Sequence, residues 1–256
     1  MQDVTLYEHP LNERIRSFLR LELLFHQADF YSRGASIWNS RATLNSIIEI
    51  QSLIGRSDLK TELLKELERH TANLARLEQN PNIDRRLLAE VLDELDMLID
   101  RLYSNNQPIG HALNENEFLN SFRQRSAIPG GSCAFDLPGL HAWLQLPVEE
   151  RNQTLASWLS SFDLVRHAIM FLLRLIRDSA TEQPITAEKG FYQQNMDPNQ
   201  PCQVLRITLP AEVRHYPEIS AGKHRFTLRF LVQGDYTERP KQTDEDIEFG
   251  LSCCMI

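Results

Sequence analysis

Hydrophobic positions change period once along this chain. Up to about residue 179 they recur with helical spacing, and beyond it they alternate. Ile15, Phe18, Leu19, Leu23 and Phe25 keep the helical rhythm, with Arg16 and Arg20 four apart on the polar side. Ser32-Arg33-Gly34 interrupts it. Leu44, Ile47, Ile48 and Leu53 mark a second helix over about 40–54, and Gly55 suits its C-terminal cap. Asp58 is placed to cap a third, carrying Leu59, Leu63, Leu64, Leu67 and Leu74, which Asn80-Pro81-Asn82 breaks. A fourth holds Leu87, Leu88, Val91, Leu92, Leu95, Leu98 and Ile99, and the third and fourth are expected to pair antiparallel. Shorter helices are predicted over 115–125, from Asp136 to Pro147 with His141 and Trp143, over 148–160 and over 163–178.

The alternating part begins with an extended stretch at 189–194. It continues through Gln203–Leu209, with Leu205, Ile207 and Leu209 on one side, and through 224–232 and 246–252. Stretches rich in turn residues separate these runs at 195–201, 217–222 and 233–245. Residues 4–8 read as a short strand able to join the sheet. The expected fold class is α+β: a mainly helical domain over residues 1–180, then a small antiparallel β domain over 181–256.

In the run Arg225-Phe226-Thr227-Leu228-Arg229-Phe230-Leu231, Phe226, Leu228 and Phe230 point one way and Arg225, Thr227 and Arg229 the other. The apolar row needs a core behind it, and the arginine row then faces water or a partner. Two roles fit these arginines. Asp246 and Glu248 on the last strand offer cross-strand ion pairs. Alternatively the row is an exposed basic surface extended by Lys223 and His224, suited to an acidic peptide.

Composition narrows the choice. The chain has 256 residues, 42% of them hydrophobic and 24% charged, as in ordinary globular proteins. A net charge of -8 argues against general nucleic-acid binding, which draws its affinity from phosphate neutralisation. No apolar run approaches the ~20 residues a bilayer span needs, and Met1-Gln2-Asp3-Val4 lacks a signal-peptide layout. The four cysteines, Cys133, Cys202, Cys253 and Cys254, show no C-x-x-C spacing and read as reduced thiols. No phosphate loop, nucleophile elbow or paired-histidine metal motif occurs. No catalytic, cofactor or metal residues are therefore expected. The enzymatic alternative is a small hydrolase or thiol enzyme built on Ser132, Asp136 and His141 or on Cys133 and His141. A second alternative is an adaptor for another acidic partner or an anionic membrane surface.

Several segments carry a more specific resemblance. Leu6-Tyr7-Glu8-His9-Pro10-Leu11-Asn12-Glu13, Thr61-Glu62-Leu63-Leu64-Lys65-Glu66-Leu67, Arg123-Gln124-Arg125, Ile128-Pro129-Gly130-Gly131, Phe135-Asp136-Leu137-Pro138, Gly190-Phe191-Tyr192-Gln193 and Leu251-Ser252-Cys253-Cys254 together resemble the ZapD family of Z-ring-associated cell division proteins, in the same order from end to end. The resemblance implies a cytosolic homodimer that binds the C-terminal tail of FtsZ, the tubulin-like division GTPase. It also implies bundling of FtsZ filaments, stabilisation of the Z-ring at mid-cell, and an indirect lowering of GTP turnover. Basic residues recognise the tail in that family. The similar positions here are Arg20, Arg56, His141, Arg225 and Arg229. Departures are Glu117, where some relatives carry arginine, Ser132, where some carry cysteine, and a longer, more acidic 233–245 segment.

Overall fold

The computed structural model describes residues 4–55, 58–81, 83–105, 107–197 and 201–255. The fold is α+β. It divides into two compact units, Phe18–Leu172 and Met1–Ser17 with Leu173–Ile256, and the division falls inside the first and last helices.

The helical unit runs through α1 (Glu13–Ser32), α2 (Ile37–Gly55), α3 (Leu59–Ala75) with a short 3-10 extension at Arg76–Gln79, and α4 (Arg85–Ser104). It continues with α5 (His111–Asn114), α6 (Glu117–Ser126), α7 (Pro138–Leu144), α8 (Val148–Ser160) and α9 (Asp163–Asp178). Polar side chains set several starts. Asp84 accepts from the Arg86 and Leu87 amides at 2.9 and 3.2 Å, and Asn116 from Leu119 at 3.0 Å. Asp58 caps α3 as its sequence predicts, accepting from the Thr61 amide at 3.4 Å. Ser36 accepts from the Asn39 amide at 3.1 Å, so α2 begins at Ile37, earlier than its hydrophobic spacing shows. Asp136 does not cap α7. Pro138 opens that helix instead, and Asp136 faces Arg125 at 3.8 Å.

Phe18, Leu21, Phe25, Leu44, Ile47, Ile50, Leu63, Leu67 and Phe162 fill the helical interior. Two polar clusters are buried with them. Arg151 of α8 donates to Ser40 Oγ at 3.0 Å and to the Ala35 carbonyl at 2.9 Å, joining α8 to the start of α2. On α3, Glu66 accepts from Arg69 and lies 3.4 Å from His70 Nε2. Burial pushes the Glu66 carboxyl up, but the hydrogen bonds from His70 and Arg69 outweigh it and hold the group well below its ordinary 4.5.

The second unit is a two-layer β structure. Its strands are β1 (Val4–Pro10), β2 (Gln183–Ala187), β3 (Phe191–Asn195), β4 (Val204–Pro210), β5 (His215–Ala221), β6 (Arg225–Val232), β7 (Lys241–Gln242) and β8 (Ile247–Cys254). One antiparallel sheet has the order β1-β4-β8-β2. The other has β3-β6-β5, with β7 also paired to β6. The predicted alternation holds. Leu205, Ile207 and Leu209 meet Phe226, Leu228 and Phe230, and Ile247, Phe249 and Leu251 complete the cluster between the sheets. Phe230 and Phe249 bring their rings to 5.0 Å across it.

Strand β5 overlaps most of the 217–222 stretch whose composition reads as turn, because Pro217 and Glu218 bring proline and charge. An edge strand tolerates both. The crossing from β2 to β3 needs two consecutive positive φ angles, 49° at Lys189 and 67° at Gly190. Asp246 Oδ1 accepts the Lys189 amide there at 2.8 Å.

Across the outer side of the first sheet, Glu8 of β1 accepts two bonds from Arg177 of α9, at 2.9 and 2.7 Å, and lies 3.1 Å from Arg206 Nε on β4. Replacing Glu8 with alanine leaves two half-buried guanidinium groups facing each other. The expected loss is about 2–4 kcal/mol of unfolding free energy, read by urea denaturation, and Glu8→Gln should lose less. Glu66 makes a pH prediction. A depressed folded value contributes stability that is complete above the unfolded value of 4.5 and is lost as pH falls below it. The stability advantage of the wild type over Glu66→Gln should therefore shrink progressively below about pH 4.5 in denaturation curves taken across pH.

Candidate basic face of the second sheet

The outer face of the β3-β6-β5 sheet is assembled by register. Arg225 stands opposite Asn195. Thr227 lies between Gln193 and Ser220, and Arg229 between Phe191 and Glu218. Leu231 follows on the same face, opposite Tyr216. The burial of Phe226, Leu228 and Phe230 on the other side holds both arginines outward. Phe191 keeps 44% of its surface exposed beside Arg229.

The structural role weighed for the arginines takes a different form from the one expected. Glu248 stands on β8 in the other sheet, and Asp246, just before that strand, is engaged by the Lys189 turn. They therefore do not pair with β6. Arg229 instead pairs with Glu218 of β5, and both side chains remain about half exposed, at 55% and 51%. Arg225 and Lys223 are exposed and have no ion pair among the described residues. The face is thus a basic row with one internal carboxylate, bordered by Phe191 and the half-buried Tyr216 and Leu231. Phe191, Tyr216 and Glu218 were not singled out from sequence. The alternation of β3 held the signal for Phe191, but its neighbours depend on strand pairing.

Arg20 and His141 lie in the helical unit. Arg20 is exposed on α1, between buried Phe18 and Leu21. His141 is exposed on α7, so it is not a packed core residue. Its neighbour Trp143 is the packed one, with ring centroids 5.6 Å from Phe118 and 6.1 Å from Trp158. Arg56 lies outside the described residues. The enzymatic constellation is not assembled. Ser132 Oγ accepts from Arg41 at 3.0 Å and Asp136 faces Arg125, and among the described residues neither is bonded to His141. No group of three or more His, Cys, Asp and Glu side chains able to hold a metal occurs among the described residues. No helix there is long and apolar enough to cross a membrane.

The profile of the ZapD family, described as a cell division protein, matches residues 19–229. The chain belongs to the ZapD family of cell division proteins. It is 45% identical over 256 residues to the cell division protein ZapD of Methylococcus capsulatus, covering all of both chains. It is 39% identical over 251 residues to the cell division protein ZapD of Coxiella burnetii, covering 98% of this chain and 97% of that one. ZapD-family membership therefore extends through both units, including the strands that build the basic face.

An exposed ion pair contributes only ~0–1 kcal/mol, and no core contact depends on these guanidiniums. Arg225→Glu with Arg229→Glu should accordingly fold, with a melting temperature within a few degrees of wild type, roughly what 1 kcal/mol allows in a chain of this length. A collapse of stability would return the arginine row to a structural role.

Proposed function

We propose that this protein is a non-enzymatic cytoplasmic division factor that binds the C-terminal tail of FtsZ through the arginine face of β6. It acts as a homodimer that cross-links and bundles FtsZ filaments at mid-cell. The reading is supported by full-length ZapD-family similarity together with the exposed Arg225–Arg229 row. Arg225 and Arg229 take carboxylates of the tail, and Phe191 and Tyr216 offer it an apolar border. Arg20, Arg56 and His141 are the further positions at which the family resemblance suggests basic recognition of the tail.

The Glu218 carboxylate gives this face a built-in competitor. A tail carboxylate that displaces it exchanges one weak exposed pair for another and gains the backbone and apolar contacts of the peptide. Each site alone is then modest in affinity. Two sites on one dimer gain from the many tails a filament displays, because the second contact forms at a high effective concentration. Bundling stabilises the Z-ring and slows GTP turnover by changing filament association, with no contact to the nucleotide.

The deciding experiment is co-pelleting with polymerised FtsZ, comparing full-length FtsZ with FtsZ lacking its tail. Pelleting and bundles are expected only with the tail, and both should weaken as salt rises. Arg225→Ala should reduce tail affinity roughly 10–100-fold, the value of one hydrogen bond to a charged group. Glu218→Gln should raise affinity a few-fold by releasing Arg229. Unchanged co-pelleting by a folded Arg225→Glu, Arg229→Glu protein would remove this face from the site.

A further inference from the structure

At one end of the β sandwich lies a cavity of about 380 Å³ whose mixed polar and apolar lining includes two cysteines and two methionines. Cys253 stands on the inward side of β8, two residues beyond Leu251, opposite Leu205. Cys202 leads into β4, lines the same cavity and donates its thiol to the Val204 carbonyl at 3.3 Å. Met196 and Met255 line the same cavity. Their backbones are pinned: the Met196 amide donates to the His224 carbonyl at 2.8 Å, and the Met255 amide to Ser179 Oγ at 3.0 Å. The other two cysteines are elsewhere. Cys133 is exposed in the helical unit, and Cys254 is buried toward the Arg177 carbonyl.

We propose that Cys202 and Cys253 form a site for a soft monovalent cation, Cu(I), with the Met196 and Met255 thioethers as its margin. Thiolate and thioether donors select soft d10 ions. Zinc needs four ligands of the Cys, His or carboxylate kind to close a structural site, and no cluster of even three occurs among the described residues. Two thiolates lining one cavity, with thioethers beside them, suit the two- or three-coordinate geometry that Cu(I) accepts. Binding releases the thiol protons to solvent and leaves a bis-thiolate complex, with no change of oxidation state. The thiols are half-buried, which limits access by larger oxidants while leaving an ion a path through the cavity.

The test is anaerobic titration of the reduced full-length protein with Cu(I) against bicinchoninate. One Cu(I) per chain is expected, with zinc unable to compete. Cys202→Ser and Cys253→Ser should each weaken binding by more than about 100-fold, beyond the loss typical of an outer-shell change, while Cys133→Ser leaves it intact. In the unmodified protein, bound Cu(I) should protect Cys202 and Cys253, and not Cys133, from alkylation mapped by peptide mass. This second readout stands if a serine variant fails to fold. Absence of stoichiometric uptake overturns the proposal. So does uptake that depends on Cys133 alone, or a Cys202–Cys253 pair that forms a disulfide and binds no metal once reduced.

Discussion

Two arginines from different elements converge on one carboxylate. Glu8 sits on the N-terminal strand, Arg206 on the central strand β4 and Arg177 on the last helix. Removing these charges from water costs several kcal/mol each. The cost is met because the guanidinium of Arg177 donates two parallel bonds to the Glu8 oxygens. The geometry works only when β1 has paired with β4 and α9 has reached the outer side of that sheet. The cluster therefore selects one arrangement of three chain segments that are remote in sequence. The first sheet carries this cluster on its outer side and turns its apolar face toward β6. Phe226, Leu228 and Phe230 point inward to meet that face, and alternation along β6 then turns the arginines outward.

The two sheets thereby divide the work. In the first, polar groups serve structure: Glu8 and Arg206 are neutralised, and Asp246 holds a turn. In the second, the outer face carries side chains with little structural duty. Arg229 is paired with Glu218, but a pair that is half in water holds its partners weakly. Such a pair keeps the guanidinium extended over the sheet and yields readily to another carboxylate. Phe191 beside it is apolar surface that the fold could have covered and does not.

The helical periods and the alternating runs were legible because each is a local pattern. Asp58 capping α3 and the buried rows of β4, β6 and β8 were read correctly for that reason. Strand β5 was missed because Pro217 and Glu218 have turn composition, and only pairing with β6 shows that they sit on an edge. The alternative that pairs the arginines with Asp246 and Glu248 fails for a related reason. Alternation tells which way a side chain points, but not which sheet its strand joins. Glu218 lies 11 residues before Arg229 and reaches it through the β5–β6 hairpin. The common cavity of Cys202 and Cys253 was hidden in the same way, since 51 positions separate residues that the fold brings to one lining.

The thiol cavity and the arginine face share a backbone. Asn195, which lines the cavity, is the register partner of Arg225, and the next residue, Met196, bonds to the His224 carbonyl one residue before Arg225. The first turn of β6, with Lys223 and His224 leading into it, is therefore supported from beneath by the cavity wall. Close-packed β layers transmit displacements of a few tenths of an ångström instead of absorbing them. An ion drawing Cys202 and Cys253 together would tighten that wall and narrow the conformations open to Arg225. Arg229, further along β6 and tethered by Glu218, would be less affected. The end of the face nearest the cavity is also the end whose arginine has no ion pair among the described residues.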